Sequence, residues 1–427
     1  METNLVDWFK DTPDGVEAGA ILRACVHCGF CTATCPTYQL LGDEKDGPRG
    51  RIYLMKQVME GAQPTMTTMT HLDRCLTCRN CETTCPSGVR YGRLVDIGRK
   101  LVEERVERPM AQRVTRTALR EGLTRRWLFD SAMRVGRMVR PLLPGVLKDK
   151  VPEARDPGPW PTGSHQSKVL LLNSCTQTAM MPGIDRATAR VLDRLGVQTV
   201  IEPASGCCGA IRYHLNDHDG GLDDARRNID AWTPYLEAGV EAIVMNASGC
   251  GVLVKEYGHL LRNDPAYAER AARVSGATFD LIEWLPRHLA SRDGDGVAAV
   301  AADPDALAQR VAFHPPCTLQ HGQQLKGAVE TLLAAFGAQV LPVPDSHLCC
   351  GSAGTYSVLH PVLSKELRNR KLEALQSHAP DVILSANMGC LTHLQSGTGT
   401  PMMHWIEWLD ERLAGVTPVG GAAPLPR

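Results

Sequence analysis

Three short apolar runs in the second half of the chain, Lys168-Val-Leu-Leu-Leu, Ala242-Ile-Val-Met and Val382-Ile-Leu, lack polar alternation and predict buried parallel strands. Helical patterns separate them, among them Ala189-Arg-Val-Leu-Asp-Arg-Leu-Gly and Glu330-Thr-Leu-Leu-Ala-Ala-Phe-Gly, so this half reads as small α/β units. Residues 90–140 show helical periodicity with a local excess of arginine. Residues 141–163 hold six prolines, densest at Pro157-Gly-Pro-Trp-Pro-Thr-Gly, and read as a linker because such a stretch sustains neither helix nor central strand. From residue 415 on the chain is Gly/Ala/Pro-rich and predicts a frayed tail.

No run approaches the roughly 18–20 apolar residues of a membrane span. Residues 1–20 carry Asp7, Asp11, Asp14 and Glu17 instead of a basic stretch followed by an apolar one, so no signal peptide is expected. The length, 427 residues, allows two or three domains. With 46 basic and 47 acidic side chains and only 5% aromatics, nothing favours a nucleic-acid partner. The number that changes the picture is 16 cysteines. Disulfide scaffolds are usually short and secreted; in a cytoplasmic chain, the compartment expected here, clustered cysteines serve metals or redox chemistry.

The cysteines fall into four groups of four: Cys25, Cys28, Cys31, Cys35; Cys75, Cys78, Cys81, Cys85; Cys175, Cys207, Cys208, Cys250; and Cys317, Cys349, Cys350, Cys390. The first two groups repeat at an offset of 50 residues, and the last two at 142, closing to 140 at the final cysteine. Two internal duplications follow. Gly206-Cys-Cys-Gly answers to Leu348-Cys-Cys-Gly, and Ser248-Gly-Cys to Met388-Gly-Cys.

Cys25-Val-His-Cys-Gly-Phe-Cys-Thr-Ala-Thr-Cys-Pro and Cys75-Leu-Thr-Cys-Arg-Asn-Cys-Glu-Thr-Thr-Cys-Pro each fit C-x2-C-x2-C-x3-C-P, the bacterial pattern for a [4Fe–4S] cubane. Two intervening residues let three thiolates converge from one tight loop. The x3 spacing then predicts a helix that carries the fourth Cys away from that cube, with the Pro in a first turn or a change of direction. In two-cluster proteins the fourth Cys serves the other cluster. Cys25, Cys28, Cys31 and Cys85 are therefore assigned to one cluster, and Cys75, Cys78, Cys81 and Cys35 to the other. Structural zinc also uses paired C-x2-C, but this motif supplies three tightly spaced cysteines and a fourth before Pro, twice over. His27, inside the first motif, reads as an exposed loop residue that binds nothing.

In the later repeats all eight cysteines follow predicted strands, so each set of four would gather at the carboxyl edge of a sheet. Adjacent cysteines such as Cys207 and Cys208 do not readily form a disulfide with each other, but they suit a compact metal or redox site. His214, His314, His321, His347, His393 and His404 read as self-satisfied loop or surface histidines, the alternative being hydrogen bonds that tune a cluster. Met180 and Met181 read as packing.

The paired Cys-Cys-Gly domains resemble those of the heterodisulfide reductases and of lactate- and glycerol-phosphate-oxidising iron–sulfur subunits. Nearly the whole chain resembles the glycolate oxidase iron–sulfur subunits, through both ferredoxin motifs, Asp46-Gly-Pro-Arg-Gly-Arg-Ile, Asn228-Ile-Asp-Ala-Trp, Ala247-Ser-Gly-Cys-Gly and Asp345-Ser-His-Leu-Cys-Cys-Gly-Ser-Ala-Gly-Thr-Tyr. The resemblance implies an α-helical bacterial-type two-cluster ferredoxin domain followed by two duplicated α/β cysteine-rich domains. The expected divisions are residues 1–105 (ferredoxin), 106–164 (basic helical segment and linker), 165–300 and 301–415 (the two Cys-Cys-Gly domains) and 416–427 (flexible tail). The heterodisulfide reductase version ends each repeat in C-x2-C and uses five cysteines for a non-cubane cluster; here Ala247 and Asn387 stand at the first position of that pair. A disulfide-reducing cluster is thereby disfavoured, while a four-Cys cluster in each repeat and a merely structural docking surface both stay open.

No G-x-G-x-x-G follows a strand, no P-loop is present and no catalytic residue announces itself. The resemblance implies two [4Fe–4S] clusters here, FAD on partner subunits of a glycolate-oxidising complex, and a quinone or other acceptor. Lactate and glycerol 3-phosphate remain alternative substrates of the flavoprotein, and a heterodisulfide-reductase-like enzyme remains an alternative activity. The arginine-rich helical stretch allows peripheral contact with the cytoplasmic face of the inner membrane.

Overall fold

The computed structural model describes residues 1–143, 151–291 and 309–414. The expected tail at 416–427, the expected division at 300–301 and part of the proline-rich linker lie outside the described residues.

The first hundred residues are helical. Thr12 caps the Pro13–Ala24 helix by accepting from Gly15 N at 3.0 Å, with Pro13 at the first helical position. That helix delivers the chain into the first cysteine loop, as the Met66–Asp73 helix does for the second. Both loops take left-handed backbone at matching places: His27 (φ 55°) and Gly29 (φ 89°), then Thr77 (φ 53°) and Arg79 (φ 59°). A β-branched threonine rarely adopts this conformation. Here it aims its amide at sulfur, Thr77 N donating to Cys75 Sγ at 3.4 Å.

The expected helix carrying the fourth cysteine away is cut short. Phe30–Ala33 and Asn80–Thr84 are single turns that hold the third cysteine, and Cys35 and Cys85 follow in extended conformation (ψ 114° in both). The cause is the proline after each, whose ring disfavours helical backbone in the preceding residue. Pro36 then opens the Pro36–Leu41 helix, whereas Pro86 enters a turn and the next helix starts at Tyr91. Pro48–Met59 and Tyr91–Glu103 complete the unit around Leu22, Met55, Met59, Leu72 and Leu94, all essentially inaccessible.

Met110–Thr124 and Arg126–Met138 then cross to two four-stranded parallel sheets. β1 (Ser167–Leu171), β2 (Val197–Val200), β3 (Ala242–Met245) and β4 (Thr278–Asp280) run in the order 2-1-3-4. β5 (Arg310–His314), β6 (Gln339–Leu341), β7 (Val382–Ser385) and β8 (Met402–His404) repeat it as 6-5-7-8. The register duplicates as well, Val169 facing Ala242 and Val311 facing Val382. The expected apolar runs are thus β1, β3 and β7, and β3 and β7 are buried at every position.

The two repeats pack face to face. The Gly183–Arg194 helix of the first lies on Trp405–Leu413 of the second, and Leu281–Ser291 lies on Ala328–Ala335. One apolar core containing Val191, Trp284, Leu333 and Trp405 runs through both, and Met181 packs against it as expected. Arg190 and Arg194 clasp Asp410 across the boundary at 2.6 and 2.7 Å. None of the helices among the described residues is long and apolar enough to cross a membrane.

Candidate iron–sulfur sites

All sixteen cysteines are free thiols. Cys25, Cys28, Cys31 and Cys85 line one solvent-open cavity with Val26, Phe30, Arg49 and Tyr91, and Cys81 also borders it. Burial raises the Cys25 thiol, and it pushes that of Cys31 up to about 11 with the charges of Cys25 and Cys85 adding to it. Cys35 and Cys81 are likewise raised by burial; Cys78 is a common neighbour, and Cys75 also lies against Cys81. Cys85 of the second motif thus shares a cavity with Cys25, Cys28 and Cys31, while Cys35 of the first lies near Cys78 and Cys81. Four converging thiols suit a thiophilic metal centre, whose cation would take the place of their protons.

A polar shell backs the second set. Arg51 is buried, donating to His71 O at 2.7 Å and to Thr37 Oγ1 at 3.2 Å, and pairing with Asp46 at 3.5 Å. Asp46 is inaccessible and also meets His71 Nδ1 (3.0 Å) and Arg74 (2.9 Å). Thr37 Oγ1 lies 3.3 Å from Cys35 Sγ, and Tyr91 Oη donates to Cys75 Sγ at 3.7 Å. Asp46-Gly-Pro-Arg-Gly-Arg-Ile is thus the segment that sets a buried cation beside these sulfurs. Gly50 is obligatory there, because a Cβ would fall 2.1 Å from Glu44 O.

In each α/β repeat the cysteines collect at the point where the strand order reverses, the usual ligand site of an open parallel sheet. Cys175 follows β1, Cys207 and Cys208 follow β2, and Cys250 lies in the Ser248–Lys255 helix after β3. Cys207 accepts from the thiols of Cys175 and Cys208 and from Gly209 N (3.4 Å), which holds it well below the ordinary thiol range. In the second repeat Gly351 N donates to Cys349 Sγ at the same 3.4 Å. The bond from Cys317 would lower Cys349, but its bond to Cys350 and its burial prevail and push it up to about 12.

Two features here are not foreshadowed by the sequence. Cys317 is in hydrogen-bond contact with Cys78 of the second ferredoxin motif as well as with Cys349. That motif is clamped onto both repeats: Arg79 pairs with Glu256 at 2.5 Å, Asn80 Nδ2 donates to His347 O at 3.0 Å, and Thr83 Oγ1 meets His321 Nδ1 at 2.9 Å. The first motif faces outward instead, with Cys28, Val26 and Phe30 exposed.

The histidines need correction. His314, His321, His393 and His404 are buried, because each is enclosed by a partner element that the sequence does not reveal. His321 bridges Thr83 and His347 O, His393 Nε2 meets Ser364 Oγ at 3.1 Å, and His404 caps the last helix by accepting from Ile406 N. His27 is half-buried, its Nε2 enclosed without a partner among the described residues. His214 and His347 are partly exposed, and His214 faces Asp96 at 3.4 Å.

Fold and cysteine geometry together define a two-cluster ferredoxin fused to paired cysteine-rich domains. Comparison with known families agrees: residues 21–89 match the 4Fe-4S dicluster domain, and residues 169–255 and 311–395 match the cysteine-rich domain. The chain is 52% identical over 414 residues to the glycolate oxidase iron–sulfur subunit of Escherichia coli (strain K12), covering 97% of this chain and 99% of that one. It is 32% identical to the probable glycolate oxidase iron–sulfur subunit of Bacillus subtilis (strain 168), over 91% of each. Lactate utilization protein A of Geobacillus thermodenitrificans matches at 29% over 57% of this chain and 99% of its own length. The chain belongs to the glycolate oxidase iron–sulfur subunit family.

Proposed function

We propose that this chain is the electron-transfer subunit of a glycolate dehydrogenase complex, drawing electrons from an FAD-bearing partner and passing them to a quinone or another acceptor. The observation that carries the reading is the graded exposure of the two cysteine sets. Cys28 and its neighbours Val26 and Phe30 open to solvent, while Cys35, Cys75 and Cys81 are buried and Cys78, partly covered, meets Cys317. Iron–sulfur clusters bound by these cysteines supply one-electron steps, which drain a two-electron flavin in succession. Cys25, Cys28, Cys31 and Cys85 would hold the outer one, and Cys35, Cys75, Cys78 and Cys81 the inner. Arg51 and Tyr91 offer positive charge and a hydrogen bond to the inner sulfurs, and the packed repeats exclude water from them. Val26 and Phe30 offer an apolar rim on which a partner can seat close to the outer set.

The Arg126–Met138 helix exposes Trp127, Val135 and Met138 between Arg125, Arg126 and Arg134, an interfacial pattern that supports peripheral contact with an anionic membrane. Co-sedimentation with phosphatidylglycerol vesicles, abolished by Trp127→Ser, is the expected behaviour.

The deciding experiment mixes the anaerobic, oxidised chain with its flavoprotein partners and glycolate. Bleaching of the iron–sulfur absorbance within turnover time supports the proposal, and faster bleaching with lactate would overturn the glycolate assignment. No bleaching with either substrate, from partners that reduce an artificial dye, would overturn the electron-transfer role.

A further inference from the structure

Superposing the repeats by their cysteine offsets exposes three substitutions at the same edge. Leu172, Ile229 and Leu253 of the first repeat become His314, Lys371 and His393 in the second. The first three are buried apolar residues that pack around Cys208. Their counterparts are equally buried, so apolar filler has been exchanged for three nitrogen-bearing side chains in an enclosed space.

His314 is the informative one. It is 1% exposed, at the end of β5, and neither ring nitrogen has a hydrogen-bond partner among the described residues. An imidazole buried with both nitrogens unsatisfied is destabilising unless something binds it. One of those nitrogens and the thiols of Cys350 and Cys390 all lie within 4.8 Å of one another. Ligands to a single ion at bonds of about 2.0–2.3 Å are separated by no more than about 4.6 Å, so the three atoms are close to the spacing one metal ion would impose.

We infer that the second repeat is a mononuclear site for a thiophilic divalent cation, Zn²⁺ or Fe²⁺, held by His314, Cys350 and Cys390. Cys349, in hydrogen-bond contact with Cys350, is the further thiol at hand. A dication with three thiolates and one imidazole carries one negative charge in excess. Lys371, buried beside Cys317, Cys350 and Cys349, is the basic side chain at hand to offset it and donates to Asp345 O at 2.9 Å. The ion would tie together β5, the Cys-Cys-Gly loop and the Met388–Gln395 helix, fixing Cys317 where it meets Cys78. In the first repeat Leu172 occupies the ligand's place, so no such ion is expected there. This inference is independent of the electron-transfer role.

The test uses the full chain, purified anaerobically with its clusters and titrated with Zn²⁺ or Fe²⁺. One equivalent of metal beyond the cluster iron, without added sulfide, is expected. X-ray absorption at the zinc edge should show both sulfur and imidazole scatterers. His314→Leu, which installs the first repeat's own residue, should weaken binding at least about 10-fold and remove the imidazole signal while leaving cluster iron unchanged. Cys390→Ser tests the same site without altering the histidine, should His314→Leu disturb folding. No metal beyond the clusters, further iron arriving with matching sulfide, or undiminished affinity in both variants would each overturn the inference.

Discussion

Replacing Arg51 by glutamine is expected to lower the reduction potential of the centre served by Cys35 and Cys75, and of that centre alone. Reduction adds a negative charge to the cluster, so a nearby cation favours the reduced form. Thr37 Oγ1 lies 3.2 Å from the guanidinium and 3.3 Å from Cys35 Sγ, which places the charge within about 6.5 Å of that sulfur. At an effective dielectric of about 20, two unit charges at about 6.5 Å interact by about 2.5 kcal/mol, or about 110 mV for a one-electron couple. Asp46, paired with the same guanidinium, opposes part of this field, so a fall of about 50–100 mV is expected. Glutamine can still donate to His71 O, and His71 and Arg74 still meet Asp46, which limits the structural damage. Arg51→Lys keeps the charge and should recover most of the potential. The assay is an anaerobic redox titration followed by EPR. Unchanged couples, equal shifts in both, or the same shift with lysine would refute the electrostatic argument.

Cys85→Ser should remove iron from the centre of the first motif and leave the second motif's centre intact, read as about four irons lost and a simplified EPR spectrum. Loss of the second motif's signal instead would reverse the cross-pairing. Glu256→Gln breaks the half-buried pairings to Arg79 (2.5 Å) and Arg93 (3.2 Å), and should cost about 1–3 kcal/mol in denaturant unfolding and speed proteolysis between the ferredoxin unit and the repeats. Asp280 is buried at the end of β4, and burial raises its carboxyl to about 6 despite the hydrogen bond from Gln323 Nε2 at 2.9 Å. Its raised value contributes stability that is fully present below the ordinary carboxyl range and is lost as pH rises from about 4 through about 6. Asp280→Asn should therefore flatten that pH dependence and stabilise the chain at neutral pH by at most about 3 kcal/mol, measured as unfolding midpoints across the range.

Much of this architecture is legible along the chain because it is local. Cysteine spacing fixes the two loops, an offset of 142 residues exposes the duplication, and runs such as Ala242-Ile-Val-Met are too apolar for anything but a covered strand. What the sequence hides depends on contacts between distant segments. His321 reads as a loop residue until Thr83, 238 positions earlier, is seen to close over it. Cys78 and Cys317 likewise meet only because the second motif docks between the repeats. The left-handed Thr77 has no glycine to announce it; its backbone is set by the amide-to-sulfur bond. His314 was detectable in principle, since aligning the repeats places it opposite Leu172, but its enclosure with Cys350 and Cys390 is a fact of packing.

The most direct test of the account is metal analysis of the anaerobically purified full chain, with acid-labile sulfide and EPR of the reduced sample. At least about eight irons with matching sulfide and a spin-coupled spectrum are expected from two adjacent cubanes. Stoichiometric zinc with little iron or sulfide would contradict it.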